Sequence, residues 1–409
     1  MGSPVRLVIG LDGGGTSTRC VVATPAGEIV GRGHAAGANP RSARDPGANL
    51  LRALTGALAS AGPGVAGPGV IGVFGLAGAS EAGRRLARDL ATQAWHTAGL
   101  PGAPAVVPDI LVAFTGATPE PSGTVLVAGT GAVAARIESH EIAHRADGYG
   151  WLLGDEGSGI WIGRQATHAA LSALDGRGPP TALTPRILPT LLSPPDVPAP
   201  PSPPDVPAPP SPPDVPAPPS SSDVPALSSS PDVPASSSSS GVPASLSRPD
   251  VPAPSSSPDI RAPLSSAADA GGGAEGVRGG PGPEGEALAQ AIIAAVYDRE
   301  PARLGLLSPV VEAAAREGDH VALTILEDAA HRLVRTLEAV LPDPSLPVVL
   351  AGSLLTNPTL VAAHVRAALP AHRLLPSRDA AAGAAALALR ATHLTEPEIT
   401  AAHRRLLAL

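Results

Sequence analysis

Apolar positions in this chain fall into short runs closed by glycine and turn residues, and these alternate with longer stretches of helical period. Residues 5–11 form an apolar run suited to a buried strand, and 19–23 and 28–33 continue with β-type spacing across the turn at Ala26-Gly27. The spacing then predicts a helix over 49–61, a strand over 70–75 and a helix over 80–98 with Ser80 as its N-cap. A short strand at 105–108 ends at Asp109, strands at 124–128 and 133–137 flank another glycine turn, and 158–174 reads as a helix. Beyond the middle of the chain come helices at 286–297 and 319–341, a strand at 346–351, and helices near 357–368, 379–391 and 396–407. Strands and helices alternate in two successive sets, which predicts an α/β protein with two related lobes.

The pattern breaks between these sets. Residues 193–264 resolve into eight nonapeptides of the type S-P-P-D-V-P-A-P-P, the later ones increasingly rich in serine. They hold 24 of the 50 prolines, no aromatic residue, and −5 of the net charge of −8. Such a stretch cannot bury enough apolar surface to offset its ordering entropy, and its prolines favour extended polyproline II. A glycine-rich tail follows, so 189–284 is expected to be one disordered Pro/Ser-rich insertion in a surface loop. Loop-closure entropy grows only logarithmically with length, so a fold can tolerate it. It reads as a slipped DNA repeat rather than as a docking tether with P-x-x-P-like sites.

Composition removes several classes of chemistry. All 28 basic residues are arginine. Without lysine there is no Walker A lysine, no protein-kinase ATP-site lysine and no Schiff-base lysine. The single cysteine, Cys20, excludes internal disulfides, Cys-rich zinc sites and a four-Cys cluster within one chain, and it fits a reducing cytoplasm. A net charge of −8, scattered arginines and seven aromatics leave no footprint for nucleic acid. No apolar stretch of about 18 residues suggests a membrane span, and the N-terminal run meets Asp12 too soon for a signal peptide. His140 and His144 are four apart but lack a third ligand, so they read as a solvated face rather than a metal site.

Candidate chemistry sits in the glycine turns. Asp12-Gly13-Gly14-Gly15-Thr16 offers backbone N–H groups and a hydroxyl to phosphate oxygens. A dinucleotide-binding turn would open a helix; here Thr18-Arg19-Cys20-Val21-Val22 predicts a second strand, so the loop is the tip of a hairpin. Gly129-Thr130-Gly131 repeats the strand–turn–strand arrangement, which predicts a pair of phosphate clips facing across a cleft. Gly352-Ser353 follows a buried strand and suits either the adenosine end of a nucleotide or an ordinary strand-to-helix turn. Asp109 reads both as a helix N-cap and as a carboxylate at a strand's C-terminal end, able to take a proton from a substrate hydroxyl. The segment 147–159 gathers Asp147, Gly148, Tyr149, Gly150, Trp151, Asp155 and Glu156, a composition suited to sugar hydroxyls and C–H faces or to complementing the next helix's N-terminus.

Taken in order, D-G-G-G-T, P-D, G-T-G and G-D-E-G-S resemble the N-acetylglucosamine kinase branch of the BadF/BadG/BcrA/BcrD ATPase family, within the actin–hexokinase superfamily. The resemblance covers nearly all the chain outside the insertion. It implies two actin/hexokinase-like (ribonuclease H-like) lobes closing on Mg-ATP and a sugar: residues 1–118 with a C-terminal helix at 394–409 packing back on them, and residues 119–393. It implies Asp12 near Mg²⁺, Gly13, Gly14, Gly15, Thr16, Gly129, Thr130 and Gly131 around the phosphates of ATP, and Gly352 near the adenosine. Asn39, Gly148, Tyr149, Gly150 and Asp155 would hold the sugar, with Asp109 as the base on its 6-hydroxyl. Two departures bear on substrate identity: Ala132 stands where relatives often carry Ser, and Tyr149 where they can carry Trp. The implied activity is an ATP-dependent amino-sugar kinase giving a sugar 6-phosphate, with N-acetylmuramic acid, glucosamine and glucose as competing substrates and a homodimer as an allowed assembly. A non-catalytic ATP or sugar sensor with a docking tail is the alternative from another class.

Overall fold

The computed structural model describes residues 5–40, 43–65, 67–79, 83–193, 282–341 and 344–409. Over them the chain builds one sheet twice. Strands β1 (Leu7–Gly13), β2 (Ser17–Ala23) and β3 (Ile29–Ala36) form an antiparallel meander. Helix α1 (Pro46–Ser60) leads to β4 (Val70–Leu76), α2 (Arg84–Thr97) leads to β5 (Ala105–Pro108), and α3 (Asp109–Thr115) leaves that strand directly. The order is β3-β2-β1-β4-β5, with β1, β4 and β5 parallel.

The second half repeats the scheme. Strands β6 (Gly123–Ala128), β7 (Ala132–Glu138) and β8 (Glu141–Asp147) form the meander. A helical layer follows: α4 (Gly159–Leu174), α5 (Thr184–Leu192), α6 (Pro283–Tyr297), a 3₁₀ segment at Pro301–Leu307, α7 (Ser308–Arg316) and α8 (His320–Glu338). Then come β9 (Val348–Ala351), the short α9 (Ser353–Thr356), α10 (Leu360–Ala367), β10 (Leu374–Pro376), α11 (Ala380–Leu389) and α12 (Glu396–Leu406). The order β10-β9-β6-β7-β8 matches the first sheet strand for strand.

Alternation along β1 shows how each sheet is covered. Ile9 and Leu11 point into a core with Leu50 and Leu54 of α1 and Trp95 of α2, where Phe74 and Trp95 meet edge-to-face at 5.9 Å. Val8 and Gly10 point the other way, onto α11; a Cβ at Gly10 would stand 2.1 Å from the Ala381 carbonyl oxygen. The sequence of α11, AAAGAAALAL, is small and apolar all round because nearly all of it is buried. Helix α3 crosses the other way: Ile110, Leu111 and Phe114 pack on Val125, Ile137 and Val349 of the second sheet. The helix that follows the last strand of each sheet therefore covers the other sheet. The two meet where a Cβ at Gly383 would lie 2.4 Å from the Gly116 nitrogen. Helix α12 closes on α11 through Ile399, Ala402 and Leu406, with a capping box from Thr395 and Glu398 at its start.

Several expectations shift. Ser80 lies outside the described residues, and α2 begins after Gly83. The insertion expected over 189–284 loses both ends, since Pro189–Leu192 complete α5 and Pro283–Glu284 open α6; the remainder, 194–281, lies outside the described residues. The stretch after Asp109 is helical, and 141–147 is an edge strand whose weak apolar alternation reflects its exposure. His140 and His144 sit in the β7–β8 turn and in β8; the expected solvated face holds for the exposed His144 but not for His140, whose ring nitrogens are both buried. Among the described residues no helix is long and apolar enough to cross a membrane.

Candidate active site

The two glycine turns face one another. A Cβ at Gly15 would lie 3.3 Å from Thr130 Cβ, so the β1–β2 and β6–β7 hairpin tips touch across the gap between the sheets. Thr16, Gly129 and Thr130 line a single cavity of about 330 Å³. The first turn is held by Ala38 and Asn39, whose N–H groups donate to the Gly14 carbonyl at 3.0 and 3.2 Å. The N–H groups of Gly14 and Gly129 are spent inside their own turns, on the carbonyls of Ser17 and Gly131, both at 2.9 Å. Gly13 is a packing glycine, with Leu76 Cδ2 2.7 Å from where a Cβ would be. Gly352, at φ 84°, presses on the second turn; a Cβ there would meet the Ala128 carbonyl oxygen at 2.3 Å.

Three carboxylates converge beside these turns. Asp12 ends β1, and burial followed by the Asp109 charge pushes its pKa to about 7, with Arg19 opposing and Asp379 adding to the rise. Asp109 opens α3 from the C-terminal end of β5; burial raises its pKa, while the Ile110 N–H, 3.0 Å from Oδ1, and Arg145 oppose the rise. Asp155 is raised to about 6, by burial first, with the Ala132 N–H on Oδ1 at 3.3 Å opposing and the charges of Asp147 and Asp109 adding. Asp109 thus acts electrostatically on both Asp12 and Asp155. The expected N-cap role is corrected: Pro108 is the N-cap, and Asp109 is the first residue of α3, its carboxylate accepting the N–H of the next residue, Ile110.

The loop after β8 is fastened by Asp147, whose carboxylate accepts the N–H groups of Asp155 and Glu156, each at 2.8 Å. Asp147 and Asp155 both hold left-handed φ, at 60° and 55°, and Gly148 and Gly150 turn the chain between them at 73° and 91°. Gly131 sits against Asp155, with 3.0 Å from a built Cβ to Oδ2, so the second turn and this loop share a wall. Tyr149 stands 60% exposed beneath the Arg145 guanidinium, 5.9 Å from its ring. Glu156 belongs elsewhere: it pairs with Arg332 of α8, which lies over Trp161 at 4.8 Å. The Asn39 side chain stands over Gly78, with Oδ1 3.1 Å from the position of a Cβ.

Part of the site carried no motif. The cavity is also lined by Gly305, Leu306, Ser308 and Pro309 at the junction of the 3₁₀ segment and α7, and by Ser353, Asn357 and Thr359 after β9. Glu312 closes it, its carboxylate fixed by the Leu360 N–H at 2.9 Å and by Arg316. Arg145 was also unmarked in the sequence. Among the described residues no group of three or more His, Cys, Asp or Glu could hold a metal ion. A lone aspartate suits magnesium, which keeps most of its waters and takes its other ligands from phosphates.

An N-acetylmuramic acid/N-acetylglucosamine kinase of Clostridium acetobutylicum is 28% identical over 180 residues, 44% of this chain and 58% of that protein. An N-acetyl-D-glucosamine kinase of Dictyostelium discoideum is 40% identical over 62 residues, 15% of this chain and 19% of that one. The matched stretches thus span less than two thirds of either relative. The crystal structure of a candidate N-acetylglucosamine kinase from Chromobacterium violaceum superposes with a TM-score of 0.59 at 21% identity, covering 94% of this chain and 99% of its own. The fold is therefore the two-lobed actin/hexokinase-like one. The model of one family matches residues 9–388, and on that extent the chain belongs to the BadF/BadG/BcrA/BcrD ATPase family.

Proposed function

We propose that this protein transfers the γ-phosphoryl group of ATP to the 6-hydroxyl of an amino sugar of the N-acetylglucosamine type, releasing ADP and the sugar 6-phosphate. The observation that carries the reading is the meeting of the two turns, Gly15 against Thr130, with Thr16, Gly129 and Thr130 lining one cavity and the Asp109 charge acting on both Asp12 and Asp155. The names of the two kinase relatives support the sugar class.

In this reading the hydroxyls of Thr16 and Thr130 bind the phosphates, and the cavity running to Gly305 and Asn357 takes the nucleoside. Asp155 and the Gly148–Gly150 turn hold the sugar, with Asn39 on the opposite side. Asp109 accepts the proton of the attacking hydroxyl. Its raised pKa makes it a stronger base than a free aspartate, and a positioned base of this kind contributes about 10²–10⁴-fold. Asp12 would hold Mg²⁺, which when bound neutralises phosphate charge. Burial disfavours the lone Asp12 anion, so a divalent cation there would restore the ionised form.

A coupled ADP-release assay over N-acetylglucosamine, N-acetylmuramic acid, glucosamine and glucose tests the proposal. Turnover should require ATP and an amino sugar. Asp109→Asn should lower kcat by about 10²-fold or more while ATP affinity stays within about twofold of the parent. Full activity in Asp109→Asn removes that residue from the mechanism, and ATP hydrolysis indifferent to every sugar removes the kinase reading.

A further inference from the structure

A second cavity, of about 370 Å³, lies at the other end of the second sheet. Strand β7 separates the two: Thr130 precedes it and the Ser139–His140 turn follows it, so its seven residues at about 3.3 Å each set the sites about 20 Å apart. The walls come from both halves of the molecule. Pro119 and Pro121 belong to the connection from α3 to β6, Ser139 and His140 to the β7–β8 turn, Arg390 to the end of α11, and Glu396 and Thr400 to the start and middle of α12, both helices packing on the first sheet.

The side chains lining it are poorly committed. Both ring nitrogens of His140 are buried without a hydrogen-bond partner among the described residues. The turn that carries them is nonetheless fixed: Ser139 and His140 hold φ of 52° and 61°, and the His140 N–H donates to the Pro121 carbonyl at 2.8 Å. Among the described residues Arg390 pairs with Glu396, at 2.9 Å, the two side chains being 25% and 70% exposed. An exposed pair of this kind is weak, so the guanidinium can exchange Glu396 for a better anion. Other charged groups nearby are engaged: Glu120 is gripped by both terminal nitrogens of Arg373 at 2.7 Å, and His403 bonds the Thr115 carbonyl at 2.6 Å. A guanidinium, a free imidazole and the hydroxyls of Ser139 and Thr400 form a donor set for phosphoryl oxygens. The cavity is too large for phosphate alone, and its remaining lining is the rings of Pro119 and Pro121, which suit C–H faces, and the Glu396 carboxylate, which the phosphoryl group would displace from Arg390.

We infer that this cavity binds a small phosphate monoester, its phosphoryl group on Arg390, His140, Ser139 and Thr400 and its carbon skeleton against Pro119 and Pro121. The inference rests on this cavity alone and does not require the kinase reading; where that reading holds, the reaction product belongs to the ligand class. Because the walls come from both halves, an occupant would resist their relative movement.

The test uses the full chain labelled at the histidine ring carbons, with inorganic phosphate and N-acetylglucosamine 6-phosphate as probes and His140→Gln to assign the resonance. In the free protein, burial and the Arg390 charge hold the His140 pKa at about 4. A phosphate dianion beside the ring favours its protonation, so the ester should move this resonance saturably and raise its pKa. Arg390→Gln should weaken the response about tenfold or more, and Thr400→Val, which leaves the ion pair intact, by a smaller factor. A His140 signal indifferent to millimolar ester, a response unchanged in both variants, or equal affinity for inorganic phosphate and the ester would each overturn the assignment. Because the readout is one ring in the second cavity, binding of the same ester in the active cleft does not mimic it.

Discussion

Asp12 shows how the site's electrostatics reach stability. Its carboxyl titrates near 7 in the fold, against 3.8 for an ordinary aspartate, so the folded chain binds this proton more tightly than the unfolded one. The resulting stabilisation is complete below about pH 4 and fades as pH rises towards 7; Asp155, raised to about 6, adds a shallower slope of the same sign. Metal-free protein should therefore lose stability to urea between pH 5 and pH 8. Asp12→Asn should flatten that slope and be the more stable protein at pH 8, by at most about 4 kcal/mol given about 1.4 kcal/mol per unit. Parallel pH profiles for the two proteins would refute the account. Magnesium should narrow the difference by favouring the ionised Asp12. At this scale the turns Asp12–Thr16 and Gly129–Gly131 were legible as hairpin tips because their glycines lie between runs of strand-forming residues. Glu312, Asn357 and Arg145 were not, because each becomes a site residue only through contacts from distant segments.

Among the elements, α11 has the least tolerance for added volume. Its ten residues are all alanine, glycine or leucine, and Gly383 lets its backbone approach that of α3. A built Cβ there would lie 2.5 Å from the Val112 carbonyl oxygen, an atom that cannot move without shifting α3. Gly383→Val should cost about 3 kcal/mol or more in urea unfolding, whereas Ala363→Val, on the exposed side of α10, should cost about 0.5 kcal/mol through helix propensity alone. Equal costs would mean that the helix crossing is not tightly packed. The buried strands β1, β4, β6 and β9 were readable as apolar runs. Edge strand β8 was not, since exposure on one side removes the pattern that marks a strand. The uniformly apolar α11 carries no stripe to say which sheet it covers, so its partner could be learned only from the fold.

For the molecule as a whole, the repeat-rich insertion enters and leaves between α5 and α6, which are neighbours in the outer helical layer of the second sheet. Arg303 fastens the departure point by donating to the Leu191 carbonyl at 2.9 Å. Replacing residues 194–281 with about eight Gly and Ser residues shortens the loop roughly elevenfold, which by closure entropy alone favours folding by about 2 kcal/mol. The shortened protein should melt no lower than the parent and keep sugar-dependent ADP release within about twofold. A lower melting temperature would mean that the insertion contributes contacts to the fold. The doubled architecture was legible from two successive sets of strands and helices. Its exchange of covering helices was not, because sequence order places α3 with the first set and α11 with the second.

That exchange governs how the chain can come off a ribosome. The first sheet is complete once about 110 residues have emerged, yet Val8, Val21 and Val73 stay bare until residues 380–406 arrive to shield them. The first sheet must therefore wait for the whole second sheet and its helices to be made with a greasy face open to chaperones. A nascent chain stalled before α11 should remain protease-sensitive, and a few more codons should make both halves resistant together.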